Sequence, residues 1–419
     1  MNRMDLGMIE DLLQDEQTPP TDIKVIGVGG AGGNAVNRMI ASGLKKVTFV
    51  TMNTDVQALQ RSNAQVRMPI GKELTGGLGA GGVPDVGEKA AVESMDEIRN
   101  LLDGTDMVFI TAGMGGGTGT GAAAVVAEVA KSVNALTVAV VTTPFAFEGK
   151  KKLQLAQAGI EKLRKQVDTL ILIPNQYLLK VVENNTPIKQ AFLMADEVLY
   201  QGVQGISELI TEPGEINIDF ADVRTVMKGR GDALMGIGFG EGANRAVDAA
   251  RAAISNPLLE NASIDGAKSV LVNLSGGDNL TLQEYQDVVE IITENCAEDA
   301  LIIAGQAFNP ELGDRIKVTV VATGFEHKDE VVGAEVGADL PRRRFESVSS
   351  DSKVAPATAA SAENADQGRP AASASNTDAE VITVNRWQDL QQQLGKRQPG
   401  NDYSFPAVLR YSRGENEEN

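Results

Sequence analysis

The sequence predicts an α/β fold in which a parallel sheet covered by helices is joined by a long helix to a second, α+β domain. Apolar runs of strand length alternate with helical patterns over residues 22–175, as in parallel-sheet proteins. Glycine-rich segments interrupt this alternation three times, each time beyond a predicted strand. An amphipathic helical pattern over residues 188–210 then separates this part from further helices and strands.

The first domain is predicted from apolar runs and their periodicity. Strands are expected at residues 23–28, 47–52, 107–110, 136–142 and 170–173. Helices are expected at residues 34–42, 84–102, 122–130 and 150–166. Ligands of parallel sheets bind at the carboxyl ends of the strands, and all three glycine segments fall there.

The long helix is predicted from apolar residues spaced by threes and fours. They are Ile188, Phe192, Ala195, Leu199, Gly202, Ile206 and Leu209. Gly202 and Gly205 weaken a helix, so we expect close packing against two neighbouring parts of the fold. This helix is expected to join the two domains.

The second domain is expected to have helices at residues 221–227, 242–254 and 282–295, and strands at 270–274, 300–305 and 315–323. Residues 354–378 are rich in Ala, Ser, Asn and Pro without apolar periodicity, which predicts a disordered linker. Residues 402–410 are apolar with a basic end and resemble a peptide that docks into a partner; a frayed tail is the alternative. The predicted divisions are an extension (1–20), two domains (21–187 and 213–327) around the helix (188–212), the linker (328–395) and the tail (396–419).

Composition excludes several functional classes. The net charge is −19, from 38 basic and 57 acidic residues, which argues against general nucleic-acid binding or adhesion to anionic lipid. One cysteine and one histidine argue against a disulfide framework, a Cys/His zinc site and a His-dependent catalytic triad. No apolar stretch approaches the length of a membrane span and no signal core begins the chain, so we expect a cytoplasmic protein.

The segment 113–121 has six glycines in nine residues, between a predicted buried strand and an alanine-rich helix. Such a loop presents backbone N–H groups at a helix N-terminus, which favours a phosphate, whereas a flexible surface loop is the simpler alternative. Residues 27–32 match G-x-G-x-x-G, and Asp55 ends the next strand, a pattern typical of NAD binding. Three glycine loops suit a triphosphate better than a dinucleotide. There is no G-x-x-x-x-G-K-[ST] P-loop.

Acidic residues supply the remaining candidates. Glu148, after a predicted strand, can accept ribose hydroxyls. Asp196 can accept two N–H bonds from guanine, with the Phe192 ring beside it for stacking; the alternatives are that Phe192 is a core residue and Asp196 a solvated helix residue. Asp219 and Asp222 lie three apart at a predicted helix start, with Asn217 before them. They can act as a helix cap, or can polarise water or help hold a metal ion.

The residues 115–121 and 217–222 match two motifs of one family: the chain resembles FtsZ, the bacterial tubulin homologues of cell division. Residues 27–36, 144–150 and 406–410 agree with this family as well. The resemblance implies a tubulin-like, Rossmann-type GTPase domain and binding of GTP/GDP with Mg²⁺, the metal held mainly through the phosphates. The nucleotide-binding positions that it implies are Gly30, Ala31, Gly32, Gly33, Asn34, Asn53, Ala80, Gly81, Gly82, Gly117, Thr118, Gly119, Glu148, Lys152, Phe192 and Asp196.

The resemblance also implies function and partners. It predicts a homopolymer of head-to-tail filaments in the cytoplasm at the midcell division site, with Asn217, Asp219 and Asp222 catalytic in a neighbouring subunit's site. Membrane-adaptor and division proteins are expected on the tail, without nucleic acid or direct membrane insertion. Lys152 stands where many members have Arg, and Ser404 and Val408 where tails favour Asp and Phe. An NAD-dependent oxidoreductase and a scaffold that binds nucleotide without hydrolysing it are the alternatives.

Overall fold

The computed structural model describes residues 21–180, 185–212, 214–256, 264 and 266–325 of the 419 in the chain. The predicted extension, linker and tail therefore lie outside the described residues. The strands are β1 (Ile23–Val28), β2 (Thr48–Asn53), β3 (Val66–Pro69), β4 (Met107–Gly113), β5 (Leu136–Thr143), β6 (Thr169–Pro174), β7 (Gly231–Gly240), β8 (Ser269–Gly276), β9 (Leu301–Phe308) and β10 (Ile316–Thr323).

Helices connect these strands. They are α1 (Gly29–Ala41), α2 (Val56–Gln60), α3 (Lys72–Thr75), α4 (Pro84–Glu93), α5 (Met95–Leu102), α6 (Thr118–Ser132), α7 (Lys150–Arg164), α8 (Asn175–Leu178), α9 (Ile188–Thr211), α10 (Phe220–Met227), α11 (Arg245–Ile254) and α12 (Leu282–Thr293), with short 3₁₀ turns at Ala146–Glu148 and Pro310–Leu312. None of the helices within the described part of the chain is both long and apolar enough to cross a bilayer.

The first six strands form a parallel sheet in the order β3-β2-β1-β4-β5-β6. This order reverses direction between β1 and β4, which is the position where open α/β sheets bind their ligands. Both faces are covered. Phe109 of β4 packs in the cluster with α1 and α9, and its neighbour Ile110 packs with α6 and α7. The predicted α/β class with a parallel sheet is confirmed.

Strand β7 is absent from the sequence prediction because four glycines among its ten residues hide the apolar pattern. Two of these glycines, Gly238 and Gly240, serve packing. A Cβ at Gly238 would lie 2.0 Å from the Ala249 carbonyl oxygen of α11, and one at Gly240 would lie 1.8 Å from the Arg245 carbonyl oxygen. Only bare backbone lets α11 approach the strand this closely.

β7 also joins the two parts of the molecule. It pairs in parallel with β6 over three residues and antiparallel with β10, so the described strands form one ten-stranded sheet rather than two. A third apolar cluster lies under α11 and α12 on strands β8 and β10.

Other boundaries also differ from the prediction. The expected single helix over 84–102 divides at Ser94, whose hydroxyl accepts a hydrogen bond from the Gly71 amide at 3.1 Å. α1 begins at Gly29, inside the segment expected to be a loop, so the first glycine segment forms the first turns of a helix.

Candidate functional site

The three glycine segments meet at the carboxyl ends of β1 and β4, the switch point of the sheet. The first and third are in contact: a Cβ at Gly29 would lie 2.7 Å from the Gly119 amide nitrogen. Gly29 also has a φ of +74°, a conformation that only glycine adopts readily. In addition, a Cβ at Gly113 would lie 2.6 Å from the Ala31 Cβ. Because these glycines have no side chain, the N-termini of α1 and α6 can approach each other.

The second glycine segment, residues 76–82, lies against the third segment at Gly117. A Cβ at Gly117 would lie 2.9 Å from the Ala80 Cβ and 3.1 Å from the Gly82 amide nitrogen. The segment is tied to the end of β2 because the Gly79 amide donates to the Thr54 carbonyl at 3.1 Å. The Thr54 hydroxyl in turn lies 2.7 Å from that of Thr118.

Other glycines of the same loops face open space. A Cβ at Gly30, Gly81 or Gly82 would meet no atom within 4 Å. The first amides of α1 and α6 have no partner within their helices, and the helix dipoles add positive potential there. These loops therefore form a concave backbone surface suited to a chain of phosphates.

Beside this surface, α1 and α9 enclose an open cavity of about 460 Å³. Its lining brings together three predicted residues, Asn34, Phe192 and Asp196. Four further lining residues were missed by the sequence analysis: Asn37, Arg38, Lys189 and Leu193. Helical spacing could have found two of them, since Asn37 and Arg38 lie three and four residues after Asn34.

The Asp196 carboxyl is the unusual group of this cavity. Burial raises the pKa of Asp196 to about 6, and the nearby Arg38 guanidinium opposes this rise. A carboxylate in such a cavity can accept two N–H groups from one face of a planar base. Phe192, 40% exposed at the cavity wall, offers a ring for stacking.

Glu148 lies close to the same cavity. The Phe145 ring, whose residue begins the 3₁₀ turn, packs edge-on against Phe192 with centroids 5.4 Å apart. The Phe145 amide donates to Glu148 Oε1 at 3.0 Å, and Lys152 Nζ donates to Glu148 Oε2 at 3.1 Å. The structure therefore pairs two predicted ligand-binding side chains with each other, Lys152 being half exposed.

The residues at the end of β2 have structural partners. Asn53 is buried, and its Oδ1 accepts a hydrogen bond from the Asp55 amide at 3.2 Å. Asp55 caps α2, because its Oδ1 accepts the amides of Gln57 and Ala58. The acidic residue on which the NAD hypothesis depends is thus engaged as a helix cap.

Asn217, Asp219 and Asp222 are exposed and lie away from the glycine loops, around the start of α10. Asp219 is the N-cap of this helix and Asp222 stands in its first turn, as predicted. The end of α10 contacts the first residue of β6, where the Thr169 hydroxyl donates to the Met227 carbonyl. α10 therefore lies at the amino ends of the parallel strands, opposite the glycine loops.

The segment before α10 is held by β9. The Gln306 amide donates to the Ile216 carbonyl at 2.9 Å, and the buried Ile218 packs against the bare backbone of Gly305. The Asn217 Oδ1 accepts the Gly214 amide at 2.8 Å. These contacts fix the backbone and leave the carboxylates of Asp219 and Asp222 directed to the surface.

Comparison with known proteins identifies the family. The model of the tubulin/FtsZ family GTPase domain matches residues 22–183, and that of the FtsZ family C-terminal domain matches residues 231–326. An FtsZ dimer from M. jannaschii is 45% identical, covers 77% of this chain and 93% of its own, and superposes with a TM-score of 0.71.

More distant structures share the fold. CetZ1 from Haloferax volcanii, a GDP-bound monomer, is 21% identical with a TM-score of 0.63, over 73% of this chain and 94% of its own. CetZ2 from the same organism, a GTPγS-bound protofilament, is 21% identical with a TM-score of 0.61, over 74% and 95%. With a nucleotide-type cradle, a base-sized cavity and an FtsZ relative of 45% identity over most of its length, the chain belongs to the tubulin/FtsZ family of GTPases.

Proposed function

We propose that this GTPase assembles head to tail and hydrolyses GTP at the contact between subunits. Gly30–Asn34, Ala80–Gly82 and Gly117–Gly119 hold the phosphates through backbone amides. Glu148 binds ribose, with Lys152 beside it, and Asp196 with Phe192 selects guanine. Asn53 supports the same site from the end of β2. Asn217, Asp219 and Asp222 of the next subunit complete it.

The observation that carries this proposal is the separation of the two halves of the site. The third glycine segment begins at the last residue of β4, whereas α10 contacts the amino end of β6, a parallel strand of the same sheet. A seven-residue strand is roughly 20 Å long at ~3.3 Å per residue. A group that positions an attacking water must lie within about 3 Å of it. Asp219 and Asp222 are therefore too far from the phosphates of their own subunit.

A neighbouring subunit resolves this distance. If the α10 end of one subunit rests on the glycine-loop end of the next, the exposed carboxylates meet the γ-phosphate and orient the attacking water. Mg²⁺, which prefers phosphate oxygens and water, supplies charge neutralisation when bound. Such a contact joins two different surfaces, so it repeats along a filament.

The relatives support assembly, since one is an FtsZ dimer and another a CetZ protofilament. We further propose that the filaments build the cytoplasmic cell-division ring at midcell. In this proposal, domains 21–187 and 213–327 flank the helix 188–212. The linker 328–395 carries the tail, whose segment 402–410 binds membrane adaptors.

The test uses Asp222→Ala, with the exposed Asp103→Ala as control. We expect the Asp222 variant to bind GTP normally and to form filaments, but to hydrolyse GTP slowly, because it lacks the group that orients water. Mixed with the parent protein, it should inhibit turnover, since it contributes a defective half to shared sites. Turnover is measured by phosphate release against protein concentration.

In the parent protein, turnover per subunit should rise steeply above an assembly threshold. A turnover that stays constant with concentration, in protein shown by sedimentation to be monomeric, would refute hydrolysis between subunits. Equal turnover of the Asp222 variant and the parent would remove this residue from catalysis.

A further inference from the structure

A charged pair joins the two helices that enclose the base cavity. Arg38 of α1 donates from Nε and Nη2 to Glu197 Oε2 of α9, at 3.3 and 3.2 Å. Glu197 is the residue after Asp196, and Arg38 lines the cavity together with Asp196. The pair therefore holds the guanidinium next to the carboxylate that the proposed function assigns to guanine.

We propose that Arg38 is a positioning residue of the guanine site: anchored by Glu197, it keeps a positive charge beside Asp196 so that this carboxyl stays ionised for base recognition. The inference rests on the proposed function, which assigns Asp196 to the base. It adds a role for a residue that does not itself need to touch the nucleotide.

The need for such a charge follows from the cavity. The face of guanine that carries N1–H and the 2-amino group offers two donors, so only an ionised carboxylate accepts both. Burial works against ionisation and raises the pKa of Asp196, whereas the Arg38 charge lowers it. Without Arg38, a larger fraction of Asp196 would be protonated near neutral pH.

Among the described residues, the other charged and titratable groups of α9 near Asp196 do not replace Arg38. Lys189, two turns earlier on α9, is exposed, where water and salt screen its charge. Glu197 is negative and acts through the hydrogen bonds that hold Arg38. Burial raises the pKa of Tyr200, one turn further on α9, so this side chain is neutral. Beneath them, strands β5 and β6 contribute apolar side chains.

The test measures GDP binding by calorimetry between pH 5 and pH 8 in nucleotide-free protein. The variants are Arg38→Met, which keeps the stem without the charge, Arg38→Lys, which keeps the charge without the fork, and Asp196→Asn. The β-phosphate of GDP also titrates near pH 6, but it does so equally with parent and variants. The ratio of their affinities at each pH therefore isolates the protein.

GDP affinity should fall at low pH, and we call this fall the acidic limb of the pH profile. We expect Arg38→Met to move this limb to higher pH. With an Asp196 pKa of about 6 in the parent, a displacement of about one pH unit weakens binding roughly fivefold at pH 6 and hardly at pH 8. Arg38→Lys should restore most of the limb. High salt should move the limb upward in the parent but not in Arg38→Met, because Arg38 is partly exposed.

Two results would overturn the inference: a limb that Arg38→Met leaves in place, or a loss of affinity that is equal at every pH, which would indicate a direct or structural role. Asp196→Asn separates this failure from that of the proposed function. If Asp196→Asn keeps the parent's preference for GDP over ADP, the guanine site itself is wrongly assigned. If it loses that preference while Arg38→Met leaves the limb unmoved, only the role of Arg38 is refuted.

Discussion

Gly30→Ala offers a direct test of the phosphate cradle, because the structure predicts opposite effects on stability and on binding. Gly30 lies in the first turn of α1 without a positive φ, and a Cβ there would meet no atom within 4 Å. The added methyl group therefore fits the nucleotide-free protein without a clash. It would also stand in the open space where we propose that a phosphate rests.

The two magnitudes follow from general energetics. Alanine is favoured over glycine at a helical position by up to about 1 kcal/mol, so the variant should be as stable as the parent or slightly more stable. A phosphate pushed away from one backbone amide loses a charge-assisted hydrogen bond of about 2 kcal/mol. That corresponds to a loss of roughly thirtyfold in nucleotide affinity.

The assay combines urea denaturation of the nucleotide-free protein with titration of GDP. Gly32→Ala is the matched control, since its Cβ would lie 2.4 Å from the Thr111 carbonyl oxygen. This variant should be less stable than the parent, whatever its affinity for GDP. Parent-like GDP affinity in a folded Gly30→Ala protein would show that no phosphate approaches this backbone, and the proposed cradle would be wrong.

Two further predictions concern other parts of the chain. Glu284 forms a two-point ion pair with the buried Arg245. The Arg245 guanidinium lowers the pKa of Glu284 to about 2. The ion pair therefore stabilises the fold fully above pH 4.5, and this stabilisation is lost as the pH falls towards 2. Glu284→Gln should lower the free energy of unfolding by about 3 kcal/mol in urea denaturation at pH 7. Glu290→Gln, at an exposed position of the same helix, should change it little. Equal urea midpoints for the two variants would contradict this prediction. Truncation after Gln393 should preserve GTP hydrolysis and filament pelleting but abolish recruitment by a membrane adaptor, since a linker and tail contribute effective concentration rather than fold; collapse of turnover would place the tail in the fold.

The parts of the site that depend on backbone were predictable from sequence. Glycines in a loop between strand and helix have few uses, and those at residues 113–121 predicted a phosphate-binding loop where the structure places a concave backbone surface. The helix start around Asp219 and Asp222 was equally visible, because an acidic residue is favoured as N-cap. In each case, a short stretch of neighbouring residues contains all the information.

The parts that depend on distant pairings were not predictable. Arg38 and Glu197 lie 159 residues apart in sequence, and no local pattern in either segment predicts their hydrogen bonds. β7 was missed because two of its glycines, Gly238 and Gly240, are explained only by the close approach of α11. Local propensity disfavours glycine in strands, and tertiary packing overrides it here.

The continuous sheet bears on how the two ends of a subunit can be matched in a filament. β7 pairs directly with β6, whose first residue also contacts the end of α10 through Thr169. The glycine loops stand at the opposite ends of the same parallel strands. Strands β1, β4, β5 and β6 are each hydrogen-bonded to a neighbouring strand on both sides, which holds them in the sheet along their length. The separation between the glycine loops and the acidic residues is therefore set by strand length. In the filament that we propose, a subunit with GTP at one end presents Asp219 and Asp222 in a constant position at the other.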